Sequence, residues 1–162
     1  MNIVCDLHMH SALSPCALEE MTPNNMVNMA LLQELTAIAV TDHNSCRNAA
    51  AVMEVAQGTG LVVVPGLEVQ TREEVHVVTL FQSLDDALAM QEEVYAALPD
   101  MKAPAKIRNK QLLMDAEDEV VGYEEGSHAD HYTYDGKRNH YSLKGNAGCL
   151  YCQQLIILSK GS

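Results

Sequence analysis

The sequence of 162 residues is 48% hydrophobic, and its 22 Asp and Glu outnumber its 10 Lys and Arg to give a net charge of −12. This length is enough for one domain with a buried core, but it excludes a complete (β/α)8 barrel, which needs about 250 residues. The hydrophobic share argues against disorder, and the negative charge argues against a protein that binds nucleic acid by neutralising phosphates. We expect a cytoplasmic protein with no membrane association, because no apolar run reaches roughly 18 residues and the start has no basic signal-peptide region.

Strands and helices alternate along the first hundred residues. The patterns predict strands over Asn2–His10, Thr36–Val40, Leu61–Pro65 and Val75–Phe81. A first helix is predicted to start at Thr22 and Pro23, with an apolar stripe of Met26, Met29, Ala30, Leu32 and Leu35. Two further helices are predicted over Arg47–Ala56 and from Leu84 to about Leu98, the latter capped by Ser83. Such alternation is typical of parallel βα units with buried strands. Gln111–Met114 and Glu119–Gly122 then form a small predicted hairpin.

The composition changes after Glu125. Residues 137–162 contain four Lys and Arg and no acidic residue, so the net negative charge is carried by the preceding part of the chain. We therefore predict a domain over residues 1–125. Residues 126–162 are predicted to be an atypical tail that is either disordered or the product of a frameshift.

Histidines and one glutamate fall at the predicted strand ends. His8 and His10 end the first strand, His43 follows the second, Glu68 follows the third and His76 begins the fourth. The carboxyl ends of parallel strands meet at one face, and alternate residues of a strand point the same way. Imidazoles from one strand and a carboxylate from its neighbour are typical ligands of a divalent metal, so this pattern predicts a metal site.

Other polar residues close to this predicted site have supporting roles. We expect Asp6 and Asp42 to orient the imidazoles by accepting hydrogen bonds. Arg47 and Arg72 are weaker candidates for contact with a substrate phosphate, because exposed arginines are commonly only solvated.

Three motifs in this order resemble the PHP (polymerase and histidinol phosphatase) superfamily. They are Asp6-Leu-His-Met-His-Ser11, Thr41-Asp-His43-Asn44, and Gly66-Leu-Glu68 followed by His76. The segments Ser14-Pro-Cys16 and Met21-Thr-Pro-Asn-Asn25 are similar to a subgroup of small PHP-domain phosphoesterases. The resemblance covers about Met1–Glu125.

The resemblance implies an α/β fold, specifically a distorted TIM-like (β/α)7 barrel that is truncated here after about four βα units. It also implies a site for up to three divalent metal ions, and these ions would be zinc, manganese or iron. His8, His10 and Glu68 would hold the first metal, Glu68 would bridge to a second that His76 also binds, and His43 would serve a third. The implied reaction is hydrolysis of a phosphate ester by a metal-activated hydroxide, on a small phosphorylated substrate or a nucleotide.

The sequence departs from the family pattern in two places. Many members carry an acidic or histidine ligand soon after the first motif, where this chain has Ser14-Pro15-Cys16. We expect Cys16, like the nearby Cys46, to be an inert small side chain rather than a ligand. The family also has a later His and an Asp-x-His pair, which the sequence after Glu125 lacks; the alternative ligands there are His128, Asp130 and His131.

Three functions therefore stay open. The favoured one is a metal-dependent phosphoesterase whose activity is impaired and which binds fewer metals. The second is a non-catalytic metal-binding fragment, and the third is a PHP module acting on nucleic-acid 3′ ends, against which the acidic charge counts. A partner chain that covers the open edge of the barrel is a further expectation.

Overall fold

A computed structural model describes residues 3–70, 76–97 and 110–124. Its elements in chain order are β1 (Cys5–Met9), α1 (Pro23–Leu32), β2 (Ala37–Val40), α2 (Ala49–Val55), β3 (Val62–Gln70), β4 (His76–Leu80), α3 (Leu84–Ala97), β5 (Leu112–Met114) and β6 (Val120–Tyr123). Each helix and strand predicted for this part of the chain is present. The predicted tail over residues 126–162 lies outside the described residues, and the domain division stays a prediction. No helix within the described ranges is long and apolar enough to cross a membrane.

The first four strands form one sheet in the order β1-β2-β3-β4. β1 pairs with β2 and β2 with β3 in parallel, whereas β3 and β4 are antiparallel. The prediction of parallel units is therefore wrong for β4. A parallel pair needs a crossover of about a dozen residues, and the chain places five residues between Gln70 and His76. The result is an α/β fold, as predicted.

One face of the sheet carries the helices and most of the core. Ile38, Val40 and Leu67 are fully buried there against α1, α2 and α3. The buried residues of α1 are Pro23, Met26, Val27 and Ala30. Met29 and Leu32 of the predicted stripe are exposed by 54% and 73%, and that part of the prediction is wrong. Apolar residues occur on several faces of α1, so their spacing in the sequence does not tell which face is buried.

The opposite face of the sheet leads to the polar cluster of the next section. Ala39, Val78 and Leu80 are buried on it, with Leu7 and Val64 packed against them. Because side chains alternate along a strand, Glu68 shares this face with Val64, and His76 shares it with Val78 and Leu80. A Cβ atom at Gly66 would collide with the carbonyl oxygen of Thr79, so glycine permits the close pairing of β3 and β4 beside Glu68.

The β5–β6 hairpin is joined to this unit through Asn48, which precedes α2. Asn48 Nδ2 donates to the carbonyl oxygen of Leu112 at 2.9 Å, and Asn48 Oδ1 accepts from the backbone N–H of Met114 at 3.1 Å. Leu112 N–H also donates to the carbonyl of Ala12 at 2.9 Å. These hydrogen bonds fix the hairpin against the loop that follows β1.

The turn of the hairpin also caps α1. Thr22 Oγ1 accepts from Asn25 N–H at 3.3 Å, which confirms the predicted N-cap. Asp118 accepts from Thr22 Oγ1 at 2.8 Å and from Asn24 N–H at 2.9 Å, which places a carboxylate at the positive end of the helix. These hydrogen bonds, with one from the Asn24 side chain, outweigh the effect of desolvation and lower the pKa of Asp118.

Candidate metal centre

The backbone brings the loop after β2 next to Glu68. Glu68 N–H donates to the carbonyl of Asp42 at 3.0 Å, and Asn44 N–H donates to the carbonyl of Glu68 at 3.0 Å. Asn44 has a φ of +55°, a left-handed conformation that Asn adopts more readily than most residues. Glu68 itself lies inside β3 and not beyond its end as predicted, because pairing with β4 extends β3 to Gln70. His43 and Glu68 thus become direct neighbours across the sheet.

Four imidazoles converge on the carboxylate of Glu68. Glu68 Oε2 lies 3.1 Å from His8 Nε2, 2.9 Å from His10 Nε2 and 3.3 Å from His43 Nδ1. Glu68 Oε1 lies 2.6 Å from His76 Nδ1. The Nε2 atoms of His8 and His10 are 3.0 Å apart. The structure therefore brings together the five residues that the sequence proposes as metal ligands.

The electrostatic field around Glu68 and the four histidines favours positive charge. Burial acts to raise the pKa of Glu68, but hydrogen bonds from His10 and His8 and the charge of His43 hold it well below its usual range. Burial acts to lower the pKa of His10, but hydrogen bonds with Cys16 and Glu68 and the nearby charge of Asp42 raise it to about 10. The same negative field would attract any cation placed between these side chains.

The donor set fits a divalent metal ion. Imidazole nitrogen and carboxylate oxygen are common ligands of zinc, manganese and iron. Two such ligands on one tetrahedral ion stand about 3.3–3.6 Å apart. The donor atoms of His8, His10 and Glu68 are 2.9–3.1 Å apart, so a small outward shift would admit an ion. The donor atoms of His43, Glu68 and His76 also lie within 4.8 Å of one another, which fits a second ion sharing Glu68.

Comparison with known proteins identifies the family. The family model for the PHP domain matches residues 6–151. The chain belongs to the PHP family. It is 31% identical over 101 residues to the 5′-3′ exoribonuclease Rnm of Salmonella typhimurium, an alignment that covers 56% of this chain and 33% of that protein.

Two solved structures are also similar. One is a Bifidobacterium adolescentis protein described as a metal-dependent phosphoesterase, with 24% identity, a TM-score of 0.47, and coverage of 60% of this chain and 35% of that one. The other is an amidohydrolase from Chromobacterium violaceum whose structure holds sulfate and no metal, with 28% identity, a TM-score of 0.48, and coverage of 57% and 32%. This PHP chain spans about a third of the length of the relatives it matches.

Asp42 is linked to the His10 imidazole through the hydroxyl of Ser14. The Asp42 carboxylate accepts from Ser14 Oγ at 2.7 Å, from Ser11 Oγ at 2.6 Å and from Ser11 N–H at 2.7 Å. Burial raises the pKa of Asp42, and these donors offset part of the rise. Ser14 Oγ also accepts from His43 N–H at 3.1 Å and lies 3.0 Å from His10 Nδ1.

The Ser14 contacts select the tautomer of His10. A hydroxyl has one hydrogen and two acceptor sites, and the Ser14 hydrogen goes to Asp42. Ser14 Oγ must therefore accept from His10 Nδ1–H, so Nε2 is the nitrogen that gives up its proton and offers a lone pair when a cation binds. That nitrogen faces His8 and Glu68, as a metal ligand requires.

The remaining predicted residues have other surroundings. Asp6 Oδ1 accepts from the backbone N–H of His8 at 3.1 Å, so its observed hydrogen bond is to the main chain of β1 and not to an imidazole. Arg47 Nη1 pairs with the buried Glu124 Oε2 at 2.9 Å. Four further candidates, namely Arg72, His128, Asp130 and His131, lie outside the described residues.

A polar network that the sequence did not predict holds the loop carrying His43 onto α3. Gln91 Oε1 accepts from Ser45 Oγ at 3.1 Å and from Cys46 N–H at 2.9 Å, and Tyr95 OH donates to Ser45 Oγ at 2.9 Å. Burial raises the pKa of Cys46 to about 12, so this thiol stays protonated. Gln91 and Tyr95 lie one turn apart on α3, and that spacing was the available signal that both face the same loop.

Proposed function

We propose that this PHP chain binds divalent cations through His8, His10, His43, Glu68 and His76 and uses them to hydrolyse phosphate esters. The observation that carries the proposal is the convergence of four imidazoles on one buried carboxylate, at 2.6–3.3 Å. A purely structural histidine cluster has no need of four such rings around one acceptor. Membership of the PHP family supports the same chemistry.

The side chains of the cluster have separable tasks in this proposal. When bound, divalent cations would supply positive charge for the phosphoryl oxygens and would activate water as the nucleophile. His8 and His10 would hold one cation with Glu68. His43 and His76 would hold a second cation, with Glu68 shared between the two. Ser14 keeps the His10 Nε2 lone pair directed at the cluster, and Asp42 holds Ser14 in place.

The substrate we propose is a small phosphate ester or a nucleotide. Within residues 3–70, 76–97 and 110–124 the basic side chains are Arg47 and Lys110, and Arg47 is already paired with Glu124. Side chains of this part of the PHP domain therefore offer little charge for a long polyanion. Cations at the cluster would supply the charge that binds a single phosphoryl group.

A second candidate is hydrolysis at the end of a nucleic acid. The 31% identity with an exoribonuclease supports it, because that alignment covers 56% of this chain. We rank it second because Arg47 and Lys110 are the basic side chains of the described ranges, and Arg47 is already paired. A non-catalytic metal-binding role is the remaining alternative.

We further propose that the chain alone turns over slowly. The sequence after Glu125 lacks the Asp-x-His pair expected of the family. Among the described strands, β1 lies at one edge of the sheet. A partner chain at this edge would be one source of further ligands, and we expect it to bind beside the exposed Ile3 and Val4.

The experiment compares three substrates with the metal-free and the metal-loaded chain. Zn²⁺, Mn²⁺ or Fe²⁺ is added to chelator-treated protein. The first assay follows the release of p-nitrophenol from p-nitrophenyl phosphate. The second follows the release of nucleotides from a short 5′-phosphorylated RNA and from the same RNA with a 5′-hydroxyl. We expect slow, metal-dependent hydrolysis of the monoester that His8→Ala abolishes and Glu54→Gln, on the exposed side of α2, leaves unchanged. Faster hydrolysis of RNA would favour the second candidate, and metal binding without any turnover would favour the non-catalytic alternative.

A further inference from the structure

We infer that Cys16 is a thiolate ligand that makes one cation position of this centre selective for thiophilic metals. The inference rests on the proposed function, since it deepens the role of the same centre. It replaces the expectation from sequence that Cys16 is an inert side chain.

The geometry brings Cys16 to the rim of the histidine cluster. Cys16 Sγ lies 3.4 Å from His10 Nδ1, and the donor atoms of His10, Cys16 and His43 all lie within 4.8 Å of one another. Cys16 is exposed whereas His43 is buried, so a cation held between them would remain open to solvent and to a substrate.

The loop that carries Cys16 is held in place. Ala17 N–H donates to the carbonyl of Ser14 at 3.0 Å, which closes a β-turn with Pro15 at its second position. Proline restricts the backbone of such a turn, and Ser14 is fixed to Asp42 and to His43 N–H. The turn therefore presents the sulfur at a defined position before any ligand binds.

The tautomer of His10 assigns the ligands of this position. His10 Nδ1 carries its hydrogen toward Ser14 Oγ, and the same N–H also faces Cys16 Sγ. His10 then acts as a hydrogen-bond donor to the sulfur, while Cys16 and His43 supply the ligand atoms. Binding a cation there releases the thiol proton to solvent and forms a metal–sulfur bond.

A sulfur ligand predicts metal preference. Thiolate favours zinc, cobalt and cadmium, whereas manganese and magnesium prefer carboxylate and water oxygen. We therefore expect this position to take Zn²⁺ in preference to Mn²⁺, in contrast to a position built from oxygen ligands.

The test loads the chelator-treated full chain with Co²⁺ and records its absorption spectrum, since thiolate ligation gives Co²⁺ a charge-transfer band in the near ultraviolet. We expect the band in the wild-type chain and its loss in Cys16→Ser. Cys5→Ser is the matched control, because Cys5 is exposed on β1, and a Cys149→Ser/Cys152→Ser double variant tests the other cysteine pair. Both controls are expected to keep the band.

A second measurement tests selectivity by chelator competition. Cys16→Ser should weaken Zn²⁺ binding at one position by about 10–100-fold and leave Mn²⁺ affinity nearly unchanged. Cys16→Asp should bind Co²⁺ without the band and gain affinity for Mn²⁺. Circular dichroism of each variant checks that the exposed position tolerates the change.

The outcomes separate the two proposals. Stoichiometric Co²⁺ without a thiolate band, or a band lost only in the Cys149/Cys152 variant, would overturn the role of Cys16 and leave the histidine cluster intact. Absence of any Co²⁺ binding would overturn the metal centre itself, and the inference with it.

Discussion

Replacing Ser14 with alanine tests how the centre is positioned. The Ser14 hydroxyl makes three hydrogen bonds, at 2.7 Å to Asp42, 3.1 Å from His43 N–H and 3.0 Å with His10 Nδ1. Loss of these bonds, one of them to a buried carboxylate, should lower the free energy of unfolding by about 2–4 kcal/mol. His10 also loses the acceptor that selects its tautomer, so metal affinity should fall by about 10–100-fold.

Ser11→Ala is the matched control. Ser11 Oγ donates to Asp42 at 2.6 Å and accepts from Leu13 N–H at 3.2 Å and from Asn48 Nδ2 at 3.0 Å, so it also makes three hydrogen bonds. None of these bonds involves an imidazole. We therefore expect a similar loss of stability and little change in metal affinity.

Two assays separate stability from positioning. Urea unfolding of the chelator-treated proteins gives the free energy of unfolding, and competition with a chromophoric chelator gives the affinity for Zn²⁺ under conditions where both variants are folded. Equal loss of Zn²⁺ affinity in both variants, or wild-type affinity in Ser14→Ala, would refute a positioning role for Ser14.

Three further substitutions test other parts of the structure. Glu68→Gln removes the carboxylate shared by the imidazoles and should weaken Zn²⁺ binding by about 100-fold or more in the chelator assay. The control Glu54→Gln should leave Zn²⁺ affinity unchanged, whereas unchanged affinity in Glu68→Gln would contradict the site. Gly66→Ala should lower the free energy of unfolding in urea by about 1–3 kcal/mol, because the added Cβ collides with the β4 backbone. An unchanged urea midpoint of unfolding would show that β3 and β4 can move apart to admit the methyl group. Asp118→Asn should cost about 0.5–1 kcal/mol at pH 7 by weakening the cap of α1. Because the pKa of Asp118 is lowered on folding, this difference in thermal stability should begin to shrink as the pH falls below about 4 and disappear only below the lowered pKa of the folded chain. A difference that stays constant from pH 7 to pH 2 would contradict this assignment.

The positions of the candidate ligands were predictable because they depend on local sequence. His8 and His10 sit at alternate positions of a strand, and strand ends in an α/β sheet converge whatever the details of packing. Helix starts at Thr22 and Ser83 were also local, since each side chain caps the helix that follows it.

Features that depend on distant parts of the chain were not predictable. The direction of β4 depends on which strand it pairs with, and its apolar run reads the same in either direction. The cap that Asp118 adds to α1 comes from 94 residues away, and no local pattern marks it. Ser14 lies in the Ser14-Pro-Cys16 segment, but the contacts of its hydroxyl depend on Asp42 and His10 meeting there in the folded chain.

Metal content measured after dialysis tests the central claim most directly. The chelator-treated chain is dialysed against Zn²⁺, freed of excess metal, and analysed by inductively coupled plasma mass spectrometry beside a His8→Ala/His10→Ala double variant. We predict at least one tightly bound equivalent in the wild-type chain and the loss of about one equivalent in the double variant. An unchanged metal content in the double variant, or no bound metal in either protein, would contradict a metal centre at this cluster.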